Sequence, residues 1–84
     1  MNDMSDYSIK TPEQLGSVLR GFRVDQKLTQ KQVGAKVGLA QNVVSQLETE
    51  PGRAGVEKLF KMLGALNLEL IVRPRGTQGN RSDW

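Results

Sequence analysis

The chain contains no cysteine and no histidine, which removes disulfides, thiolate nucleophiles, the commonest general base and the usual ligands for transition metals. No enzyme activity, metal or other cofactor is therefore expected. It also lacks an apolar run long enough to cross a bilayer and a basic-then-apolar segment at its start, so the protein is expected in the cytoplasm with no membrane partner. Size is limited as well. Eighty-four residues suit one small domain that buries only about 60% of its unfolded surface, so association with another chain would add stability. Acidic residues are the minority: 12 Lys and Arg stand against 9 Asp and Glu, a net charge of +3 with a pI near 9.6. The placement of that charge says more than its size. Between Arg20 and Lys36 lie Arg20, Arg23, Lys27, Lys31 and Lys36 against Asp25 alone. A cluster of this kind can neutralise phosphates, although a merely soluble basic surface has the same composition.

What is present is a pair of short helices joined by a tight turn, written in LTQKQVGAKVGLAQNVVSQLE from Leu28 to Glu48. Thr29 with Gln32 three residues later makes a capping box ahead of the first core-facing residue, Val33. Gly38 marks the bend, because glycine enters left-handed geometry without steric penalty. Beyond it Leu39, Val44 and Leu47 recur at helical spacing and leave Gln41, Asn42, Ser45 and Gln46 on the opposite side. Such a face suits the major groove, where Gln or Asn bonds an adenine edge bidentately and Ser contacts several bases. An ordinary solvated helix surface is the plainer reading of any one polar stripe. The combination of turn, spacing and neighbouring charge favours readout.

The pattern resembles the phage-repressor type of helix-turn-helix, whose second helix lies in the major groove while the first crosses the backbone. What the resemblance implies is double-stranded DNA as partner, with Gln41, Asn42 and Ser45 reading bases and Gln30 touching phosphate at the start of the first helix. Lys27, Lys31 and Gln46 are further candidate phosphate contacts, and Arg53 is either another or a loop arginine serving solubility. Two positions depart from the family. Ala40 stands where a capping Ser or Thr is usual, forgoing about 1 kcal/mol, and Gly34 stands where alanine is usual, weakening the helix by about as much. Arg23 is expected to pair with Glu48, as the matching residues do in the family, and so to serve structure rather than DNA.

Ahead of this unit, Thr11, Pro12 and Gln14 form a strong helix start, followed by the stripe Leu15, Val18, Leu19 and Phe22. A helix is predicted from Pro12 to about Asp25. Gly16 and Gly21 weaken it, with close packing the one reason at hand. Residues 1–10 read as an arm whose Tyr7 and Ile9 fold back on the domain. After the breaker-rich loop Glu50 to Gly55, the residues Val56, Leu59, Phe60, Leu63 and Leu66 trace another amphipathic helix, which Asn67 ends in left-handed geometry. Leu68, Leu70 and Val72 then alternate with Glu69, Ile71 and Arg73 up to Pro74, the period of a strand. A lone strand needs a partner, most simply the same strand of a second chain, and a two-fold homodimer follows. The simpler possibility is that this segment only covers the core. From Pro74 onward the residues are polar and glycine-rich and end in Trp84, either an accident of sequence or an anchor for a pocket on another protein.

The helix start TPEQL, the LTQ opening, the segment GLAQNVVSQLE, the passage FKMLGALNLEL and a tail closing in Trp together resemble HipB-type antitoxins, the DNA-binding partners of HipA-type serine/threonine kinase toxins. The resemblance implies an all-α, four-to-five-helix, lambda-repressor-like DNA-binding domain with one C-terminal β-strand pairing across a homodimer. The expected divisions are an arm at 1–10, the helix-turn-helix domain at 11–67, a dimerising strand at 68–73 and a flexible tail at 74–84. It further implies repression of the chain's own operon at palindromic DNA, and a HipA-type kinase held inactive with Trp84 in contact. A stand-alone phage-like or metabolic repressor without a kinase, or a small domain that binds protein alone, would share many of the same residues.

Overall fold

The computed structural model describes residues 6–75. Its elements are α1 (Pro12–Asp25), α2 (Gln30–Val37), α3 (Gln41–Thr49), a 3-10 turn at Pro51–Arg53 and α4 (Val56–Ala65). Helix starts follow the sequence closely. At Thr11 and again at Thr29 the hydroxyl accepts from the amide three residues on, and the Gln14 or Gln32 side chain returns the bond to the cap backbone. Each box satisfies two amides that the helix itself leaves unpaired, and such a cap contributes about 1 kcal/mol. Ala40 makes no side-chain cap for α3.

The turns are equally local. α2 ends on Gly38 at φ 74°, the left-handed geometry expected of it. Between α1 and α2 the left-handed residue is Lys27, at φ 62°, a conformation that costs an L-residue about 1–2 kcal/mol. Bonds across the turn hold the chain there: the Leu28 amide donates to the Arg23 carbonyl at 3.1 Å, and the Arg23 guanidinium donates to the Leu28 carbonyl at 2.8 Å. Leu28 is thereby set against the core. Asn67 also takes positive φ, 61°, one residue beyond the Leu66 cap of α4. The Gln26 side chain caps that end as well, donating to the Leu66 carbonyl at 2.9 Å.

The core consists of Leu19 from α1, Val33 from α2, Val44 and Leu47 from α3, Ala54, and Met62, Leu63 and Leu66 from the α4 region. α3 is the central element, packed against both α1 and α2, while α4 closes on α2. Two glycines permit close approach of backbones, Gly16 where α1 meets α3 and Gly34 against the α2–α3 turn. A Cβ on Gly16 would stand 2.3 Å from the Glu48 carbonyl oxygen, and one on Gly34 would stand 2.2 Å from that of Leu39. Close packing thus accounts for Gly16, whereas Gly21 has open space around it.

One expectation about the rear of the domain needs correction, and a second has no counterpart among the described residues of one protomer. Val56 and Phe60 are not core residues of α4; they are 66% and 50% exposed, and Met62 is buried instead. The helix turns its Leu59, Met62, Leu63 and Leu66 arc inward, and Val56 and Phe60 fall outside that arc at 100° per residue. The second concerns Leu68, Leu70 and Val72. Leu68 packs on the core, but Leu70, Ile71 and Val72 are 53%, 62% and 90% exposed, and among the described residues there is no strand. A strand exists by pairing with another strand, and residues 68–73 meet none among the described residues. The arm does fold back: the Tyr7 ring meets Phe22 edge to face at 5.6 Å, and Asp6 pairs with Arg73 at 3.3 Å. That ion pair is exposed on both sides and adds little stability. Trp84 lies outside the described residues.

Candidate nucleic-acid interface

The second helix of the pair, α3, starts with its polar residues outward. Gln41 and Asn42 are exposed in its first turn, whereas Ser45 and Gln46, one turn on, are half-buried. Val44 and Leu47 point into the core between them. The Thr49 hydroxyl bonds the Ser45 carbonyl at 3.0 Å and so stays with the helix end. Lys27, Lys31, Lys36 and Arg53 are all exposed, Arg53 on the 3-10 turn that follows α3. Lys27, Thr29, Gln30 and Gln41 line one open groove at the adjoining starts of α2 and α3. A phosphate entering there would meet a cation and the positive end of a helix. Among the described residues no group of three acidic side chains is arranged to hold a metal ion.

Beneath the groove lies a network anchored on Glu48. Its side chain is 1% exposed and accepts from the Arg23 guanidinium at 2.5 and 3.1 Å. A buried carboxylate of this kind persists because its partner neutralises it and its oxygens are hydrogen-bonded. Arg23 is therefore a structural residue, as expected. The Gln30 amide also donates to Glu48, at 3.1 Å, and its oxygen accepts from the Gln41 amide at 3.5 Å. Gln30, expected at a phosphate, thus has both ends of its side chain turned toward protein. Nothing in sequence spacing announced the link from Gln30 to Glu48, since the two stand on different helices and meet only where α2 and α3 cross. The expected readers Gln41, Asn42 and Ser45 share the first turns of α3, Lys27 lines one groove with Gln41, and the assigned dimer residues Leu68, Leu70 and Val72 belong to a different part of the chain.

The helix-turn-helix family model HTH_3 matches residues 19–72, spanning α2, α3 and α4. Over 96% of its length the chain is 26% identical to antitoxin HipB of Escherichia coli strain K12, covering 99% of that protein. With antitoxin HipB of Escherichia coli O6:H1 it shares 30% identity across 82% of this chain and 73% of the relative. Its fold is similar to a chain of the HipA-HipB-O2-O3 complex, with a TM-score of 0.81, 25% identity, and coverage of 84% of this chain and 100% of that one. Capping boxes, turn, buried ion pair and outward amides together with these likenesses lead to one conclusion: the chain belongs to the helix-turn-helix family HTH_3 and, within it, to the HipB-type antitoxins.

Proposed function

We propose that this chain is a dimeric, sequence-specific DNA-binding repressor that also serves as an antitoxin, repressing its own operon and neutralising a HipA-type serine/threonine kinase. The observation that carries the DNA-binding half is the outward pair Gln41 and Asn42 at the start of α3, with the exposed Lys27 lining the same groove as Gln41. In the bound complex α3 enters the major groove, where Gln41, Asn42 and Ser45 meet base edges. Lys27, Lys31, Gln46 and Arg53 meet phosphates and fix the register, and Gln30 stands at the edge of that contact. The chain supplies binding energy and no catalysis, and it acts in the cytoplasm.

The antitoxin half rests on the likeness to two HipB antitoxins and to a structure in which HipB stands with HipA and O2-O3. Dimerisation is supported by the exposed apolar side chains of Leu70, Ile71 and Val72, and the alternation of Leu68, Leu70 and Val72 with Glu69, Ile71 and Arg73 suits pairing with the same segment of a second chain. Leu68, Leu70 and Val72 are the proposed dimer residues. Two recognition helices carried about 34 Å apart would then read a palindrome whose half-sites are one duplex turn apart. Trp84, at the end of the tail, is the proposed contact with the kinase, where a buried aromatic anchor commonly contributes about 2 kcal/mol or more.

Selection from a random duplex pool, followed by competition at fixed salt, tests the reading. A selected duplex should outcompete random duplex strongly, and equal affinity for both would leave only a protein-binding domain. Gln41→Ala should cost about 1–3 kcal/mol and relax preference at one position, whereas Lys31→Ala should weaken all duplexes alike and reduce the salt slope by about 1. Deleting residues 79–84 should spare DNA binding and impair capture of the HipA-type kinase; unchanged capture removes Trp84 from the interface.

A further inference from the structure

Pairing of the C-terminal segment with a second copy leaves open which residue faces which, and the backbone around that segment limits the choice. The Leu68 amide is already donated to the Leu63 carbonyl at 2.8 Å. At the other end Pro74 has no amide to donate. Between these two stops lie Glu69, Leu70, Ile71, Val72 and Arg73, whose backbone groups make no hydrogen bond to backbone among the described residues. The middle of that free run is Ile71.

Two antiparallel strands related by a two-fold axis must set one residue opposite its own copy, and residues directly opposite share a face of the pair. An axis at Ile71 sets Leu70 opposite Val72 of the second copy and Glu69 opposite its Arg73. Each neighbouring register is worse. An axis at Leu70 draws on Leu68, whose amide is engaged, and sets Glu69 opposite Ile71 with Arg73 beside Asn67, which at φ 61° is not in strand geometry. An axis at Glu69 sets two carboxylates face to face, and one at Val72 sets Arg73 opposite Ile71 and Leu70 opposite Pro74. Opposite charges across a strand pair stabilise it and like charges destabilise it. Glu69 and Arg73 are both exposed. The contact of Arg73 with Asp6 is open to water on both sides and is too weak to withhold Arg73 from a second partner.

We propose that the dimer forms in the register centred on Ile71, and that its two cross-strand pairs of Glu69 with Arg73 make the segment selective for a second copy of this chain. This inference rests on the dimerisation proposed above. It turns a general capacity to pair into one defined arrangement with a charge code.

The test uses the full-length protein at low salt. Glu69→Arg and Arg73→Glu, each alone, set like charges opposite one another twice per dimer and should raise the dimer Kd about tenfold or more. Mixed in equal amounts, the two variants should form a heterodimer about as tight as the unaltered dimer, because both of its cross-strand pairs again join opposite charges. A second measurement uses the absence of cysteine from the chain. Directly opposite Cα atoms stand about 4.5–5.5 Å apart, within reach of a disulfide, so Ile71→Cys should cross-link the dimer under mild oxidation faster and more completely than Leu70→Cys. A mixture of the charge variants that associates no better than either one alone overturns the inference, as does faster cross-linking through Leu70→Cys. An unaltered protein that dimerises while neither cysteine variant cross-links overturns it too and places the dimer contact elsewhere. An unaltered protein that stays monomeric at every concentration overturns dimerisation itself, a distinguishable result.

Discussion

The front of the domain, α1 to α3, and its rear, α4 with residues 66–73, solve the same problem differently. In front, the buried polar groups find partners inside the protomer: Arg23, Glu48 and Gln30 bond one another, and both threonine caps are reciprocated. At the rear Val56, Phe60, Leu70, Ile71 and Val72 stay exposed although they are apolar. The front is complete in one chain, and the rear is not. A reading head must be rigid before it meets DNA, so its contacts belong within the protomer. Apolar side chains left in water are stabilised only when a second surface covers them, and the rear is the proposed place of assembly.

Breaking the front should be costly without any partner in the experiment. Arg23→Ala strands the Glu48 carboxylate in the core and should remove about 3–5 kcal/mol of folding stability, measurable by urea denaturation at a concentration where the protein is monomeric. A loss below about 1 kcal/mol would mean that water reaches Glu48 and that the pair is not truly buried. Gly16→Ala should follow, at about 2 kcal/mol. The added methyl meets the Glu48 carbonyl, and overpacking of about 1–3 kcal/mol outweighs alanine's better helix propensity. A thermal midpoint that rises for Gly16→Ala would show that α1 and α3 can separate freely. The rear sharpens the contrast from the other side. Leu70→Lys should change monomer stability by less than about 0.5 kcal/mol, yet sedimentation should show the dimer shifted toward monomer. Unaltered association would place the dimer contact elsewhere, with the Val56 and Phe60 face of α4 the next surface to test.

Much of the front was legible because its signals are local. Thr11 with Gln14, Thr29 with Gln32 and Gly38 each act within a few residues, and the structure places every one of them as expected. The rear was less legible. Period-two alternation in Leu68 to Arg73 describes a capacity to pair, and pairing needs a second strand that one chain does not contain. The assignment of Val56 and Phe60 to the core failed for a related reason. Spacing identifies an apolar arc on a helix, but how wide an arc is covered depends on which neighbours reach it. The site itself divided along the same line: the outward position of Gln41 and Asn42 followed from the inward position of Val44 and Leu47, whereas the engagement of Gln30 with Glu48 did not.

The sequence by itself determined where helices begin and end, which faces of α1 to α3 turn inward, and that a polar-faced helix follows a glycine turn. These are properties of bonds and dihedrals spanning a few residues, and the local chain carries them wherever it goes. Only the tertiary structure decided that Gly16 is a contact point between backbones and that Glu48 reaches Gln41 through Gln30. Each of those depends on how closely two helices cross, a distance set by the packing of all their side chains together and encoded at no single position.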